Sequence, residues 1–396
     1  MNTGIKNKLN VLYLSRWYPN RYDPMPGLFI QRHAEAAALN CNIGVVYVHP
    51  SEEKTTQKFE VIEDDINGVP TVMVYYKAVK SNFPIVTPFC KITRFYRANF
   101  IGIRRLEQSM GKFNLLHIHI LTRLGIIGLY YKWFKGINFV ISEHWSRYLP
   151  ATANFTGILR KSISRLVVKN AAAVTTVTEN LAQAMKSHKL KNENYRVLAN
   201  VLSPDFLEHD PQSNNKIEKH KIVHVSCFED KSKNISGILR VIKKLGDSRS
   251  DFSFTLVGDG MDFERMKNYA SEIKINPEIL KFTGLLEGKS LVDVMSDSSA
   301  LLIFSNYENF PVVINEAMSL GVPVISTNVG GIAEYLNETN GILIPRGDEN
   351  ELFAILNRLF DGGYKFDNKK FSLKAKDDFS MENVGKQLYN IYLKAL

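Results

Sequence analysis

The chain has 396 residues, 45% hydrophobic and 23% charged, the balance of an ordinary globular protein. That length predicts two or three domains, and no run of about 18 apolar residues exists to span a membrane as a helix. Net charge is +10, but residues 1–200 hold 27 Lys/Arg against 12 Asp/Glu while residues 201–396 hold 23 against 28, so a basic half suited to an anionic partner precedes a mildly acidic one.

Nucleic acid is not expected as that partner, because zinc-finger spacings, RNP-type motifs and basic repeats interleaved with aromatics are absent. An anionic membrane surface or a phosphate-bearing acceptor fits better. Cys41, Cys90 and Cys227 are scattered and odd in number, which fits a reducing cytosol and offers no metal spacing. The first apolar patch is only about five residues long and lacks a small-residue cleavage site, so it reads as a strand rather than a signal peptide.

In chain order, LNVLYLS (9–15) is a buried strand, followed by a Pro-rich loop ending at Gly27 and a helix over 28–39. Strand, loop, helix is the opening unit of a doubly wound domain. NIGVVYVHP (42–50) is the second strand, residues 51–65 read as polar and exposed, and 68–79 as a strand or hairpin arm. Residues 84–108 mix Phe83, Phe89, Phe95 and Tyr96 nearby with Lys91, Arg94, Arg97, Arg104 and Arg105. They read either as a helix packed on the sheet with a basic outer face or as one lying on anionic lipid.

FNLLHIHI (113–120) is a strand with His117 and His119 on one face. No third ligand is evident, so a pair satisfied by hydrogen bonds is expected there rather than a metal. FVIS (139–142) is another strand, and His144 stands at its carboxyl end, either as a structural imidazole or as a group facing a crevice. Residues 159–188 read as helix, strand and a helix capped by Thr178 or Asn180. Asn200 follows the last strand of this half, and a polar linker over 203–220 leads on.

KIVHVSCFED (221–230) restarts the pattern, with Lys233 beyond it. Residues 251–270 are strand, Gly-Asp-Gly loop and helix, and Thr283 lies in the next strand. Residues 301–347 then read as strand, loop, helix, strand, loop, helix, strand. Pro311 opens the first of these helices, where its missing N–H costs nothing, and Gly321 closes it ahead of Pro323. Glu308 lies in the loop and Glu316 one turn into the helix. The free amides of Val312 and Val313 make an anion site at the helix N-terminus. Two acids beside such a site suit a ligand with hydroxyls on either side of a phosphate, as in a nucleotide sugar. The last segment, 379–396, is an amphipathic helix.

Glu308, Phe310, Glu316, Ala317, Met318, Gly321, Pro323, Val324, Gly330 and Gly331 together resemble the signature of the retaining glycosyltransferases of family 4, which have the GT-B fold. The resemblance implies an α/β chain of two Rossmann-like doubly wound domains facing a central cleft. Residues 1–205 would be the acceptor-binding domain, 206–378 the nucleotide-sugar-binding domain, and 379–396 a helix returning to the first. It implies catalytic roles for His144, Glu308 and Lys233. The donor would be held by Gly27, Lys233, Thr283, Glu308, Asn309, Phe310, Pro311, Val312, Val313 and Glu316. Glu316 would take the ribose hydroxyls and Glu308 the sugar hydroxyls. Three positions depart from the pattern: Asn309 and Pro311 replace glycines, and Cys227 replaces an arginine that grips the diphosphate.

No Asp-x-Asp tripeptide occurs, so no cofactor and no metal are expected, and positive side chains with a helix terminus are left to receive the leaving diphosphate. The expectation is a cytoplasmic enzyme moving sugar from a nucleotide-sugar donor to a glycan or lipid-linked acceptor in surface polysaccharide assembly, with contact at the inner membrane face left open. A nucleotide-sugar epimerase and a non-catalytic nucleotide-sugar binder remain as alternatives. A dinucleotide dehydrogenase is disfavoured, since no G-x-G-x-x-G follows the first strand.

Overall fold

The computed structural model describes residues 8–53, 57–78, 86–121, 123–209 and 219–396. Phe83 and residues 210–218 of the expected linker lie outside these. Two sheets organise the chain. The first has the strands β1 (Asn10–Ser15), β2 (Asn42–Ser51), β3 (Phe59–Ile66), β4 (Val69–Lys77), β5 (Leu115–His119), β6 (Phe139–Glu143), β7 (Ala173–Thr176) and β8 (Tyr195–Val197), in the order β3-β4-β2-β1-β5-β6-β7-β8. The second has β9 (His220–Val225), β10 (Phe252–Val257), β11 (Leu280–Gly284), β12 (Ala300–Ile303), β13 (Val324–Thr327) and β14 (Gly341–Ile344), in the order β11-β10-β9-β12-β13-β14.

All pairings are parallel except β3 with β4. Apolar runs such as VLYL and ALLI fill the central strands because helices cover both faces of a parallel sheet. Each sheet reverses direction once, between β1 and β5 in the first and between β9 and β12 in the second. Ligands of open α/β sheets bind at such switch points, beyond the carboxyl ends of the strands.

Three local expectations change. Residues 51–65 are not simply an exposed loop: Phe59–Ile66 is an edge strand, turned onto β4 by Asn67 (φ 53°) and Gly68 (φ 80°). Positive φ at both turn residues matches the right-handed twist of the hairpin arms. The stretch expected as a helix after Gly331 is a single 3-10 turn, Ile332–Glu334. Pro311 is the N-cap of helix Val312–Ser319, in extended conformation, rather than its first helical residue.

The final helix, Met381–Ala395, starts from the Ser380 hydroxyl, which accepts from Asn383 N at 3.1 Å. It does return to the first sheet. Tyr392 is fully buried, its hydroxyl 2.5 Å from that of Tyr13 and 2.8 Å from His117 Nδ1, and His117 Nε2 lies 2.7 Å from Ser142 Oγ. Gly385 lets this helix press on helix Leu28–Ala38: a Cβ there would stand 2.2 Å from the Ala36 carbonyl oxygen.

Gly385→Ala should therefore push the two helices apart and destabilise the protein by about 1–3 kcal/mol. Urea unfolding of the variant, compared with Lys386→Ala on the exposed face of the same helix, measures it; equal midpoints would show that the helix is not docked this way.

Candidate functional site

The loops after β9 and β12 meet at the switch point of the second sheet. Beyond β9, the short helix Asp230–Lys233 ends on Asn234, in the left-handed region at φ 52°, and this turn points Lys233 back over the strand ends. Beyond β12, Ser305 begins the loop that carries Glu308. The two loops are laced together, since Asn306 N donates to Ser232 O at 2.7 Å and Asn306 Nδ2 to Lys231 O at 3.1 Å.

Lys233 Nζ and Glu308 Oε1 form a close ion pair with side chains only 16% and 12% exposed. Ser305 Oγ donates to the same carboxylate oxygen at 2.9 Å, and Thr327 Oγ1 on β13 donates to Ser305 O at 2.7 Å. Burial pushes the Lys233 ammonium down, but Glu308, with the Cys227 thiol beside it, outweighs this and the net shift is upward. Cys227 is exposed, so the position of the missing arginine is open to solvent beside Lys233.

Helix Val312–Ser319 is buried along almost its whole length, with Val313 9% exposed and Ile314, Asn315, Glu316 and Ala317 more deeply enclosed. Glu316 faces the other domain. Its carboxylate lies 3.4 Å from Arg32 Nη1, on helix Leu28–Ala38. Burial raises the Glu316 pKa and Arg32 pulls it partly back. The two signature acids thus have separate partners, one in each domain.

One departure from the family pattern, Asn309, has a structural use. Asn309 is buried, and its Nδ2 donates to the His144 carbonyl across the cleft at 2.6 Å, a bond glycine could not make. Phe310 stacks on Tyr335 with ring centroids 4.0 Å apart. Gly330 has φ 60°, and a Cβ on it would meet Glu308 O at 1.9 Å; one on Gly331 would meet Thr178 Cγ2 at 2.2 Å. The glycine pair is needed because the loop lies directly on Glu308 and on the first domain.

Gly27, at φ 78°, caps the helix that carries Arg32 and packs on the Trp17 backbone. Thr283 stands apart at the end of edge strand β11, its hydroxyl donating to Gly284 O at 2.9 Å.

His144 is at the cleft through its backbone, but its ring packs 4.4 Å from Phe29, and neither ring nitrogen reaches solvent or a partner. It joins His119, on β5, and His33, on helix Leu28–Ala38. One ligand nitrogen from each of the three lies within 4.8 Å of the others. The expected satisfied pair is therefore half right: His117 is bonded to Tyr392 and Ser142, whereas His119 has no hydrogen-bond partner and lies beside His33 and His144 of other elements. The third imidazole that the strand alone lacked is thus brought near by other elements, from His33 and His144.

Behind this cluster Glu143 is fully buried and staples the strand ends. Its carboxylate accepts from His144 N and Trp145 N, each at 2.9 Å, and from Leu121 N at 2.8 Å. Arg16, Arg123 and Arg147 sit on the same carboxyl edge. Burial and then the charge of Arg123 lower the Arg16 pKa, and burial lowers that of Arg147 with Arg160 and Arg16 adding to it. Arg147 lies over the Trp145 ring at 3.2 Å, and Trp145 meets Trp17 at 5.0 Å. Arg32, His33 and these arginines were not singled out in the sequence; only the basic excess of the first half pointed toward them.

Residues 205–377 match the family model of glycosyl transferases group 1, and residues 33–206 that of glycosyltransferase family 4. Among curated proteins, the chain is 28% identical over 155 residues to lipopolysaccharide 1,6-galactosyltransferase of Escherichia coli K12, covering 38% of this chain and 43% of that protein. Among solved structures, sucrose-phosphate synthase of Thermosynechococcus elongatus superposes with TM-score 0.75 at 17% identity, covering 98% of this chain and 99% of that one. HepE of Anabaena, in complex with UDP, does so with TM-score 0.68 at 16% identity, covering 98% and 100%. These likenesses show the GT-B fold. The two family models join end to end across residues 33–377, and the chain belongs to the family 4 glycosyltransferases.

Proposed function

We propose that the protein is a retaining glycosyltransferase that takes a sugar from a nucleotide-sugar donor and needs no metal ion on the diphosphate. The observation that carries the reading is the Lys233–Glu308 pair, set at the switch point of the second sheet beside the N-terminus of helix Val312–Ser319. A HepE structure holding UDP at the same fold supports a nucleotide donor.

In the step we infer, the bond from the anomeric carbon to the phosphate oxygen breaks and the diphosphate leaves with the electron pair. Lys233 and the amides of Val312 and Val313 receive its charge. The acceptor hydroxyl bonds to the same face and its proton passes to the departing phosphate oxygen. Glu308, held by Lys233 and Ser305, orients the sugar hydroxyls rather than attacking carbon. Glu316 exchanges Arg32 for the ribose hydroxyls when donor binds.

The acceptor reading rests on the first domain. Arg16, Arg123 and Arg147 gather at its carboxyl edge, and among the described residues none forms an ion pair with a carboxylate. An acceptor bearing phosphate or carboxylate groups fits that edge, in keeping with a role in surface glycan assembly such as the name of the galactosyltransferase relative indicates. Phe89 (70% exposed), Ile92 and Lys91 lie near the start of helix Val86–Met110, and Arg94 there reaches Lys77 O, at the carboxyl end of β4. That placement suits peripheral contact with an anionic bilayer on the acceptor side.

Three outcomes test these readings. A thermal-shift screen of UDP-, GDP- and ADP-sugars should find a stabilising donor, and with it Lys233→Met should lower kcat/KM by about 10²–10³-fold. Lys233→Met should also destabilise the fold by about 3–5 kcal/mol through the unpaired Glu308; adding Glu308→Gln should restore stability but not transfer. Recovery of transfer in the double variant would show that the pair is only structural.

Cys227→Arg should tighten donor binding by about tenfold, since a charge-assisted bond to phosphate is worth roughly 1.5–3 kcal/mol before the cost of crowding Lys233; calorimetric titration reads it, and unchanged affinity would place the diphosphate elsewhere.

Sedimentation with anionic liposomes should fade as salt rises and weaken in Phe89→Ser/Ile92→Ser. Equal binding to neutral vesicles would remove the membrane reading.

A further inference from the structure

The histidine cluster lies at the switch point of the first sheet, the counterpart of the place where the second sheet holds Lys233 and Glu308. His33 and His119 are completely buried and His144 is half-buried. His33 Nε2 is 2.9 Å from Ala199 O, and a carbonyl can only accept, so this nitrogen carries the proton and Nδ1 holds a lone pair. That Nδ1 and both nitrogens of His119 and of His144 have no partner. Five enclosed imidazole nitrogens without bonds are a large departure from native practice, where such groups are paired or meet an ion or water.

Burial lowers the pKa of all three rings, His33 to about 4, and His33 further disfavours charge on His119 and His144. Three neutral imidazoles converging from three elements are ligands for a borderline divalent cation. The His33 bond to Ala199 O is the outer-shell contact that fixes the tautomer of a ligating histidine. Nitrogens on a tetrahedral zinc ion stand about 3.3 Å apart, given Zn–N bonds near 2.0–2.1 Å, so ligand nitrogens now within 4.8 Å of one another need an inward turn of the rings to close on an ion. His119 and His144 are free of hydrogen bonds that would oppose it.

We propose that His33 Nδ1, His119 and His144 form a binding site for a zinc-class cation, with water as the fourth ligand. Imidazole donors favour zinc, cobalt, nickel or copper over magnesium and calcium, which take oxygen. The ion is therefore not one that bridges a donor diphosphate. It ties helix Leu28–Ala38 to the ends of β5 and β6, and so holds Arg32, the residue next to His33, in place opposite Glu316.

The test uses the full chain, stripped with chelator and titrated with Co²⁺. One saturable equivalent with the visible absorption of tetrahedral cobalt is expected, and Zn²⁺ should displace it and raise Tm by several degrees. His33→Gln and His119→Gln, each first shown folded by its metal-free melting curve, should lose the cobalt spectrum, while His220→Gln on the second domain should keep it. No saturable cobalt binding by the parent chain, or a spectrum that survives both substitutions, would overturn the proposal and leave the cluster as a packed or hydrated histidine core.

Discussion

The arrangement depends on one costly contact, the ion pair of Lys233 with Glu308. Two charges whose side chains are only 16% and 12% exposed pay heavy desolvation, and a well-packed apolar pair would serve stability as well or better. What justifies the pair is the place it occupies. The loops after β9 and β12 diverge at the switch point, leaving a crevice that neither loop can fill with its own backbone. Ser305 and the Ser232–Asn306 bond hold the two loops at a spacing where the lysine and the acid meet. An anion arriving there competes for a cation already positioned, so little reorganisation remains for the moment of reaction.

Polar contacts also cross between the two domains, beside an apolar cluster to which buried residues of both contribute. Arg32 meets Glu316, Asn309 bonds the His144 carbonyl, and Tyr335 OH donates to Val177 O at 2.9 Å. The Glu334 carboxylate accepts from Glu179 N and Asn180 N, each at 2.7 Å, so an acid of one domain caps the helix N-terminus of the other. Each bond can be exchanged for water or ligand at small net cost. These polar contacts can break and re-form where the cleft opens to admit donor and release product. The apolar docking of the last helix, through Gly385 and Tyr392, is the permanent tie within the first domain.

Much of this could be read from residue order. The parallel strands announced themselves as apolar runs between turn residues, and Thr178, Asp348 and Ser380 begin helices as their side chains dictate. The spacing of Glu308 and Glu316, with Gly330 and Gly331 beyond, marked the loop and helix that the structure sets at the switch point of the second sheet. One arm of the β3–β4 hairpin is legible in 68–79, but the other is not, although Asn67-Gly68 between alternating residues is a strong signal, because the acids of FEVIEDDI read as polar and exposed. Partnerships across long separations were not legible: nothing local ties Arg32 to Glu316, 284 positions away, or His33 to His144. Helical and strand periods report which face is buried, not which distant group will meet it.

The replaced family residues show how such distant partnerships constrain a motif. Where the pattern has glycine, Asn309 spends its amide on the His144 carbonyl, and that bond carries the loop of Glu308 toward the strand end bearing His144. The same carbonyl belongs to a residue whose amide is fixed by Glu143, whose other oxygen is fixed to Leu121 beyond β5. Displacing Asn309 therefore moves Glu308 on one side and loosens the histidine cluster on the other. A glycine there would free the loop but give up the link. In this chain the substitution couples the loop of Glu308 in one domain to the strand ends of the other through a single side chain.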